Sequence, residues 1–271
     1  MSDVLFELKG EGTAQIALVT LNRPAALNSF TKQMHKDLWA VFDEIAANKT
    51  IRAMVVTGAG RGFCAGADLS EFDFSEGVDA KGQTMIERAN PRAVINDYFN
   101  PTALKLQLLR VPTIAAVNGV AAGAGASYAL SCDITIAAPS ASFIQAFSKI
   151  GLIPDSGGSW LLPQRLGMAR AMALCMTGDK LTAAQAKEWG LIWDVADDAL
   201  EAALAMASRM ATMPTKALIE TRHLLRSAVT NTYKEQLDLE RDVQSLLGHT
   251  HDYIEGVQAF LQKRPAQFKG E

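Results

Sequence analysis

The chain contains only three cysteines, and no two of them are close together in the sequence. Cys64, Cys132 and Cys175 are widely spaced among the 271 residues, and no CxxC motif occurs. Isolated cysteines in odd number argue against a disulfide framework and a structural zinc site. His249 and His251 form a His-x-His pair, but no third ligand lies nearby in sequence, so no metal site is expected. This cysteine usage predicts a cytoplasmic protein.

The chain also lacks an excess of basic charge and a long uninterrupted apolar run. Its formal net charge of −3 provides no general basic surface, which argues against nucleic acid as a partner. The longest apolar run, around residues 113–130, is interrupted by Asn118 and by glycines, so no membrane span is expected. The N-terminal segment does not combine a basic stretch with an apolar one, and no secretory signal is expected.

The chain does contain enough apolar sequence to bury a large core. Hydrophobic residues make up 49% of it and charged residues 20%, as in globular proteins. The apolar pattern predicts an α/β body over residues 1–195 and a helical C-terminal region over residues 196–271. The apolar residues of the segment 70–95 recur at neither the helical nor the strand spacing, so the segment is expected to form a mobile loop with a short helix. Strands are predicted at residues 4–9, 16–21, 53–57, 113–117 and 133–137.

A single carboxylate stands out in the stretch FIQAFSKIGLIPDSGGSW. Asp155 lies between a proline and two glycines, and most of its sequence neighbours are apolar. One interpretation is structural, because Asp followed by Ser-Gly-Gly is a good N-cap for a helix that begins near Ser159. The other is catalytic, because an apolar site raises the pKa of a carboxylate toward a range useful for proton transfer. Phe147, Ile150 and Trp160 are expected to provide such apolar surroundings.

Two glycine-containing turns are candidate anion sites. The segment TIAAVNGVAAGAGASYAL predicts a strand, a turn and a helix, and the unpaired N–H groups at a helix start can hold an oxyanion. The second turn lies in GRGFCAGADLSEF, residues 60–72. Two converging donors are best suited to an acyl oxygen that gains negative charge. The GxxxGxG spacing also occurs in short-chain dehydrogenases, but here it lies past residue 115 and no Tyr-x-x-x-Lys pair is present.

Five motifs span essentially the whole chain. They are LNRPAALNSF (21–30), RGFCAGADLS (61–70), AAVNGVAAGAGASYALSCDI (115–134), LTAAQAKEWGLIWDV (181–195) and EGVQAFLQKRPAQFKG (255–270). In this order and spacing they resemble the crotonase (enoyl-CoA hydratase/isomerase) superfamily. The resemblance implies an α/β crotonase fold, a spiral of ββα units followed by a C-terminal helical trimerisation region. It also implies an acyl-CoA thioester substrate, a homotrimer or dimer of trimers, and no cofactor besides the CoA that the substrate carries.

The resemblance also implies which residues form the site. The thioester oxygen is expected between the backbone N–H groups of Ala67 and Ala124. Phe260 and Lys263 are expected to reach a CoA bound in a neighbouring subunit. For Arg23 and Lys263 the alternative is that they are ordinary charged residues on the surface. The other residues expected along the CoA ester are Arg23, Ala25, Leu27, Ala65, Gly66, Asp68, Leu69 and Gly123.

Departures from the family pattern bear on the reaction. The two glutamates that position water in the family's hydratases would fall at Ser127 and Phe147, and neither residue is acidic. Asp155 occupies the family's third acid position. The segment around Asp155 is similar to the corresponding segment of isomerases in this family. These enzymes open an aromatic epoxide to an oxepin and can also shift a Δ3 double bond to Δ2. Dehalogenases of the family use the same position as a nucleophile, but they would need a Trp-rich pocket.

The sequence therefore predicts an acyl-CoA isomerase with Asp155 as the acid and base. A single carboxylate can accept a proton from the carbon α to a thioester and return it at another carbon. An aliphatic Δ3,Δ2-enoyl-CoA isomerase and an enoyl-CoA hydratase are the alternative enzymes. A non-catalytic member that binds acyl-CoA or another protein is the alternative from a different class.

Overall fold

The computed structural model describes residues 2–271, which contain two β-sheets. The strands are β1 (Val4–Lys9), β2 (Gln15–Leu21), β3 (Ile51–Gly58), β4 (Gly62–Cys64), β5 (Thr113–Val117), β6 (Val120–Ala122), β7 (Ile134–Ala137), β8 (Ser142–Ile144), β9 (Lys180–Thr182) and β10 (Asp194–Val195). The larger sheet has the order β1-β2-β3-β5-β7-β10, and the smaller has the order β4-β6-β8-β9. Only the β1–β2 and β8–β9 pairs are antiparallel.

From β3 to β8, successive strands alternate between the two sheets. β3, β5 and β7 of the larger sheet are followed directly by β4, β6 and β8 of the smaller one. Asn118 joins two of these bends: its side-chain amide donates to the Gly60 carbonyl (2.9 Å), and its side-chain oxygen accepts from the Gly58 N–H (3.2 Å). This alternation, with helices between the strand pairs, is the spiral of ββα units and confirms the predicted α/β class.

The helices lie between and after the strand pairs. Thr31 caps the first of them by accepting from the Met34 N–H at 3.0 Å. The helices are α1 (Lys32–Ala47), α2 (Met85–Arg88), α3 (Arg92–Val94), α4 (Asn100–Gln107), α5 (Ala124–Ser131), α6 (Gly158–Leu166), α7 (Met168–Thr177), α8 (Ala183–Glu188), α9 (Ala199–Ala211), α10 (Thr215–Ser227), α11 (Tyr233–Leu247) and α12 (His251–Leu261).

The larger sheet is buried on both faces, because alternate residues of its strands enter two separate clusters. Leu18, Val55 and Ile114 face α9, and their sequence neighbours face the main core. α9 lies close to the sheet because its buried face consists of small side chains. These are Ala199, Ala203, Ala207 and Ala211, which recur at the spacing of one helical face.

Arg222 anchors α10 to the main body of the protein. Its Nε donates to the Asp133 carboxylate (2.7 Å), and its two terminal nitrogens donate to the carbonyls of Leu109 and Val111. In α11 no residue is fully buried. No helix among the described residues is both long and apolar enough to cross a membrane.

Residues 70–95 form a loop and two short helices, where one was expected. The loop closes around Arg88 of α2, which donates to the Asp73 carboxylate (2.7 Å) and to the Ser75 carbonyl (2.6 Å). The Arg88 side chain is consequently buried although the segment is polar. The predicted mobility of this loop stays a prediction.

Candidate active site

The first glycine-containing turn follows β4 and is fixed by Phe30. The Phe30 N–H donates to the Gly66 carbonyl (2.7 Å), and the Phe30 carbonyl accepts from the Asp68 N–H (2.9 Å). The Ala67 N–H between them has no hydrogen-bond partner within residues 2–271. Gly66 has φ +97°, a conformation that favours glycine, and a β-carbon there would lie 3.0 Å from the Ala122 carbonyl oxygen.

The second turn joins β6 to α5. Gly123 is the N-cap of α5 and has no side chain that could pair with the first N–H groups of the helix. The Ala124 N–H likewise lacks a partner among the described residues, and it lies at the positive end of the helix dipole. A β-carbon on Gly66 would lie 3.6 Å from the Ala124 nitrogen, so the two turns are in contact.

Asp155 lies in the turn that precedes α6. Gly157, at φ +85°, is the N-cap of this helix, and Asp155 contributes only its backbone carbonyl, which accepts from the Gly158 N–H at 2.8 Å. The capping interpretation is therefore wrong for the Asp155 side chain, because a left-handed glycine takes the capping position. Burial raises the pKa of the half-buried carboxyl, and the hydrogen bond from the Ser156 hydroxyl (3.1 Å) partly offsets the increase.

The Asp155 turn packs on the first turn of α5. A β-carbon on Gly158 would lie 2.6 Å from the Ser127 hydroxyl oxygen. Ser156 and Ala124 line the same small cavity. The structure therefore brings the carboxylate segment and both predicted N–H donors into one region.

The apolar side chains expected around Asp155 are placed differently. Ile150 is 56% exposed and Trp160 is 43% exposed, so the expectation that they face inward is wrong. In α6 the inward positions belong to Leu161 and Leu162, which leaves Trp160 on the outer face. Phe147 is buried as expected, and its ring lies 3.5 Å from where a β-carbon of Gly123 would be.

The two positions that lack glutamate are both enclosed. Ser127 has no exposed surface, and a β-carbon on Gly158 would overlap its hydroxyl oxygen. Phe147 is buried and packs against the Gly123 turn. Neither side chain provides a carboxylate.

Most residues expected along the CoA ester are neighbours. The Ala65 N–H donates to the Leu27 carbonyl (3.0 Å), and the Arg23 guanidinium lies 2.8 Å from the Asp68 carboxylate. Burial alone would raise the Asp68 pKa, but hydrogen bonds from Ser70 and Arg23 lower it to about 2. Ala25 and Leu69 lie exposed at the edge of this group.

The two residues predicted to act in a neighbouring subunit lie at the end of α12. Phe260 is 83% exposed, and Lys263 follows the helix in a left-handed conformation. Their predicted contact with CoA needs a second chain and stays a prediction.

Asn28 organises the site, and the sequence reasoning did not single it out. Its buried side chain accepts from the Arg23 N–H (2.8 Å) and donates to the Gly62 and Ala59 carbonyls (both 2.9 Å). It thereby holds the 21–30 segment against the strand that leads to the first turn. Its place in the LNRPAALNSF motif is the signal that could have identified it.

A cluster of rings next to the two turns was also missed. Phe30 stacks on His35 (ring centroids 5.1 Å apart) and meets Phe99 and Tyr128 edge-on at 5.9 and 5.5 Å. These rings, together with Ala124 and Ser156, line the small cavity. They come from separate elements, so no local pattern connects them.

The structure does not favour a cysteine nucleophile or a metal site. Burial raises the pKa of the Cys64 thiol to about 12, so it stays protonated and is a poor nucleophile. Among residues 2–271, no group of three or more His, Cys, Asp or Glu side chains is placed to hold a metal ion.

Comparison with known proteins agrees with this geometry. The Enoyl-CoA hydratase/isomerase family pattern matches residues 11–271. The 1,2-epoxyphenylacetyl-CoA isomerase of Escherichia coli K12 is 49% identical over 258 residues, covering 94% of this chain and 95% of that protein. The 2,3-dehydroadipyl-CoA hydratase of the same organism is 37% identical over 94% of this chain and 96% of its own length.

Solved structures support the same assignment. The enoyl-CoA hydratase of Bacillus anthracis superposes with a TM-score of 0.86 at 30% identity, covering 98% of this chain and 99% of that one. Both sheets and the helical C-terminal region lie within the matched length. The chain belongs to the enoyl-CoA hydratase/isomerase family and has the crotonase fold.

Proposed function

We propose that this enzyme isomerises an acyl-CoA thioester, with ring-1,2-epoxyphenylacetyl-CoA as its substrate and the oxepin-CoA as its product. Asp155 moves the proton, and the N–H groups of Ala67 and Ala124 hold the thioester oxygen. The observations that carry the proposal are two turns in contact, each with an unpaired N–H donor, and a half-buried carboxylate in the segment that packs on the second of these turns. The 49% identity to the 1,2-epoxyphenylacetyl-CoA isomerase of E. coli supports the choice of substrate.

The chemistry needs only these groups. Removal of a proton α to the thioester places negative charge on the carbonyl oxygen, where two N–H donors stabilise the enolate. Asp155 then returns the proton at another carbon. In the epoxide, the carbon–carbon bond shared by the six-membered and three-membered rings breaks to give the seven-membered oxepin, so bonds rearrange and no atom is gained or lost. Because burial raises the pKa of Asp155, its carboxylate is a stronger base than that of a solvated aspartate.

The choice of an aromatic acyl group rests on the relative and not on the cavity. Phe30, Phe99 and Tyr128 line a cavity of about 10 Å³ beside Ala124, which is too small for an aromatic ring. An aliphatic Δ3,Δ2-enoyl-CoA isomerase uses the same proton transfer and is the second candidate. Hydration ranks below both, because Ser127 and Phe147 provide no carboxylate for water.

Asp155→Asn tests the mechanism, because asparagine keeps the shape and removes the base. We expect turnover of the epoxide and of a 3-enoyl-CoA to fall at least about a hundredfold. Asp179→Asn is the matched control, an exposed aspartate with no side-chain hydrogen bond, and should retain full activity. Undiminished turnover by Asp155→Asn contradicts the mechanism. Binding of CoA esters without turnover by the wild type favours a binding protein, and rapid water addition to crotonyl-CoA favours a hydratase.

The CoA part is proposed to lie along the 21–30 and 65–69 segments. Asp68 neutralises and orients Arg23, so the pair presents hydrogen-bonding groups at the rim of the site. Leu27 and Ala65 form one continuous edge through their backbone hydrogen bond. Phe260 and Lys263 complete the CoA site of a neighbouring subunit in a homotrimer or dimer of trimers.

The three free cysteines support a cytoplasmic location.

A further inference from the structure

Two buried polar atoms beside the candidate site have no hydrogen-bond partner. They are Nε2 of His35 and the hydroxyl of Tyr128, and neither finds one among the residues that the structure describes. His35 is 2% exposed and Tyr128 is 4% exposed, so bulk water does not solvate them. Buried polar atoms are nearly always paired, so two unpaired ones on neighbouring rings call for a partner, which is a ligand atom or a water molecule.

Both side chains line the same cavity, which has a volume of about 10 Å³. This volume accommodates one oxygen atom or one water molecule, and no larger group. Ala124 and Ser156 also line it, so the cavity lies next to a proposed oxyanion donor and to the neighbour of Asp155. An atom in the cavity would therefore lie close to the acyl carbons that react.

Hydrogen bonding around Thr102 determines where the His35 proton lies. The Thr102 hydroxyl accepts from the Trp39 indole N–H (2.7 Å) and lies 2.7 Å from Nδ1 of His35. Among the described residues the hydroxyl finds no acceptor other than Nδ1, so we assign its proton to Nδ1 and the ring proton to Nε2. Burial lowers the His35 pKa to about 4, so the ring is neutral and Nε2–H is a donor.

We propose that this cavity receives an oxygen atom of the acyl group, held by the Nε2–H of His35 and the hydroxyl of Tyr128. The enzyme would thereby select CoA thioesters that carry an acceptor oxygen on the carbon β to the thioester. An epoxide or ether oxygen accepts hydrogen bonds and donates none, which matches two donors. A water molecule would need acceptors for its own protons as well. The inference rests on the proposed function for the identity of the substrate.

Tyr128→Phe tests this selection with two substrates. We expect kcat/KM for ring-1,2-epoxyphenylacetyl-CoA to fall about ten- to a hundredfold, since a site that pairs with a substrate oxygen discriminates strongly. The kcat/KM for an oxygen-free 3-enoyl-CoA should stay within about twofold. Tyr233→Phe, which removes a hydroxyl from an exposed position on α11, should change neither value. Equal losses for both substrates, or no loss for either, would overturn the proposal and leave the cavity to a water molecule.

A binding experiment separates this inference from the proposed reaction. 3-Methoxypropanoyl-CoA and pentanoyl-CoA differ only by an oxygen in place of a methylene group beyond the β-carbon. Calorimetry should find that the wild type prefers the ether, and that Tyr128→Phe lowers this preference about tenfold. If Tyr128→Phe leaves the ratio of the two affinities unchanged, the oxygen site is overturned even if the epoxide is isomerised. A lowered ratio supports the site even if the epoxide is not the substrate.

Discussion

At the residue scale, the burial of Asp155 lowers the stability of the folded protein and makes the carboxylate a stronger base. The carboxyl is half-buried, and its pKa is raised because burial disfavours the charged form. One hydroxyl, that of Ser156, is its only side-chain hydrogen-bond partner among the described residues. The same environment that makes the carboxylate basic therefore makes the folded protein less stable when it is ionised.

Asp155→Asn should therefore stabilise the protein at neutral pH while it removes activity. The folded pKa lies above the unfolded value of 3.8, so ionisation disfavours the folded state at every pH above both values. Each pKa unit corresponds to about 1.4 kcal/mol. We expect a higher thermal unfolding midpoint for the variant at neutral pH, and a difference that disappears as the pH falls below 3.8. A midpoint equal to or below that of the wild type at neutral pH would contradict this account, and Asp179→Asn should show no shift.

At the element scale, the approach of α5 to β4 positions the two N–H donors. A β-carbon on Gly125 would lie 2.3 Å from the Cys64 carbonyl oxygen and 2.8 Å from the Cys64 β-carbon. Cys64 is the last residue of the strand before the first turn, and Gly125 follows Ala124 in the second. The distance between the turns therefore depends on the absence of a side chain at position 125.

Gly125→Ala should separate the two turns and impair both stability and turnover. The added methyl group overlaps backbone atoms that cannot rotate away, which costs about 1–3 kcal/mol in a packed interior. Gly256→Ala in α12 is the control, because a β-carbon there meets only the edge of the Phe268 ring at 3.3 Å. Urea unfolding and kcat measure the two effects. Wild-type stability together with wild-type kcat in Gly125→Ala would mean that the turns do not depend on this contact.

The elements also mark how far sequence predicts this structure. The five longest strands of the larger sheet have continuous or alternating apolar patterns and were predicted. β4, β6, β8 and β9 have only three residues each, and their pairing is with distant segments, so no local period marks them. The Asp155 cap was mistaken because Gly157 adopts a left-handed conformation, which sequence alone does not specify.

At the scale of the whole molecule, the C-terminal helices have apolar surface that the single chain does not cover. No residue of α11 is fully buried, although Tyr233, Leu237 and Leu246 are large and apolar. A cleft of about 420 Å³ between α10 and α11 is lined partly by leucines. An amphipathic helix exposed in this way is typical of a subunit interface.

Leu237→Lys should therefore dissociate the proposed homotrimer. Leu237 lines the cleft between α10 and α11, and a charge there would have to lose its water when subunits associate. Multi-angle light scattering should give the mass of a trimer or of a dimer of trimers for the wild type and a smaller mass for the variant. Asp242→Asn, a change at an exposed position of the same helix that does not line the cleft, should leave the mass unchanged. If Phe260 and Lys263 contact the CoA of a neighbouring subunit, dissociation also raises KM for the CoA ester more than it lowers kcat. A wild type that is already monomeric, or a variant that stays trimeric, would contradict the assignment of this surface.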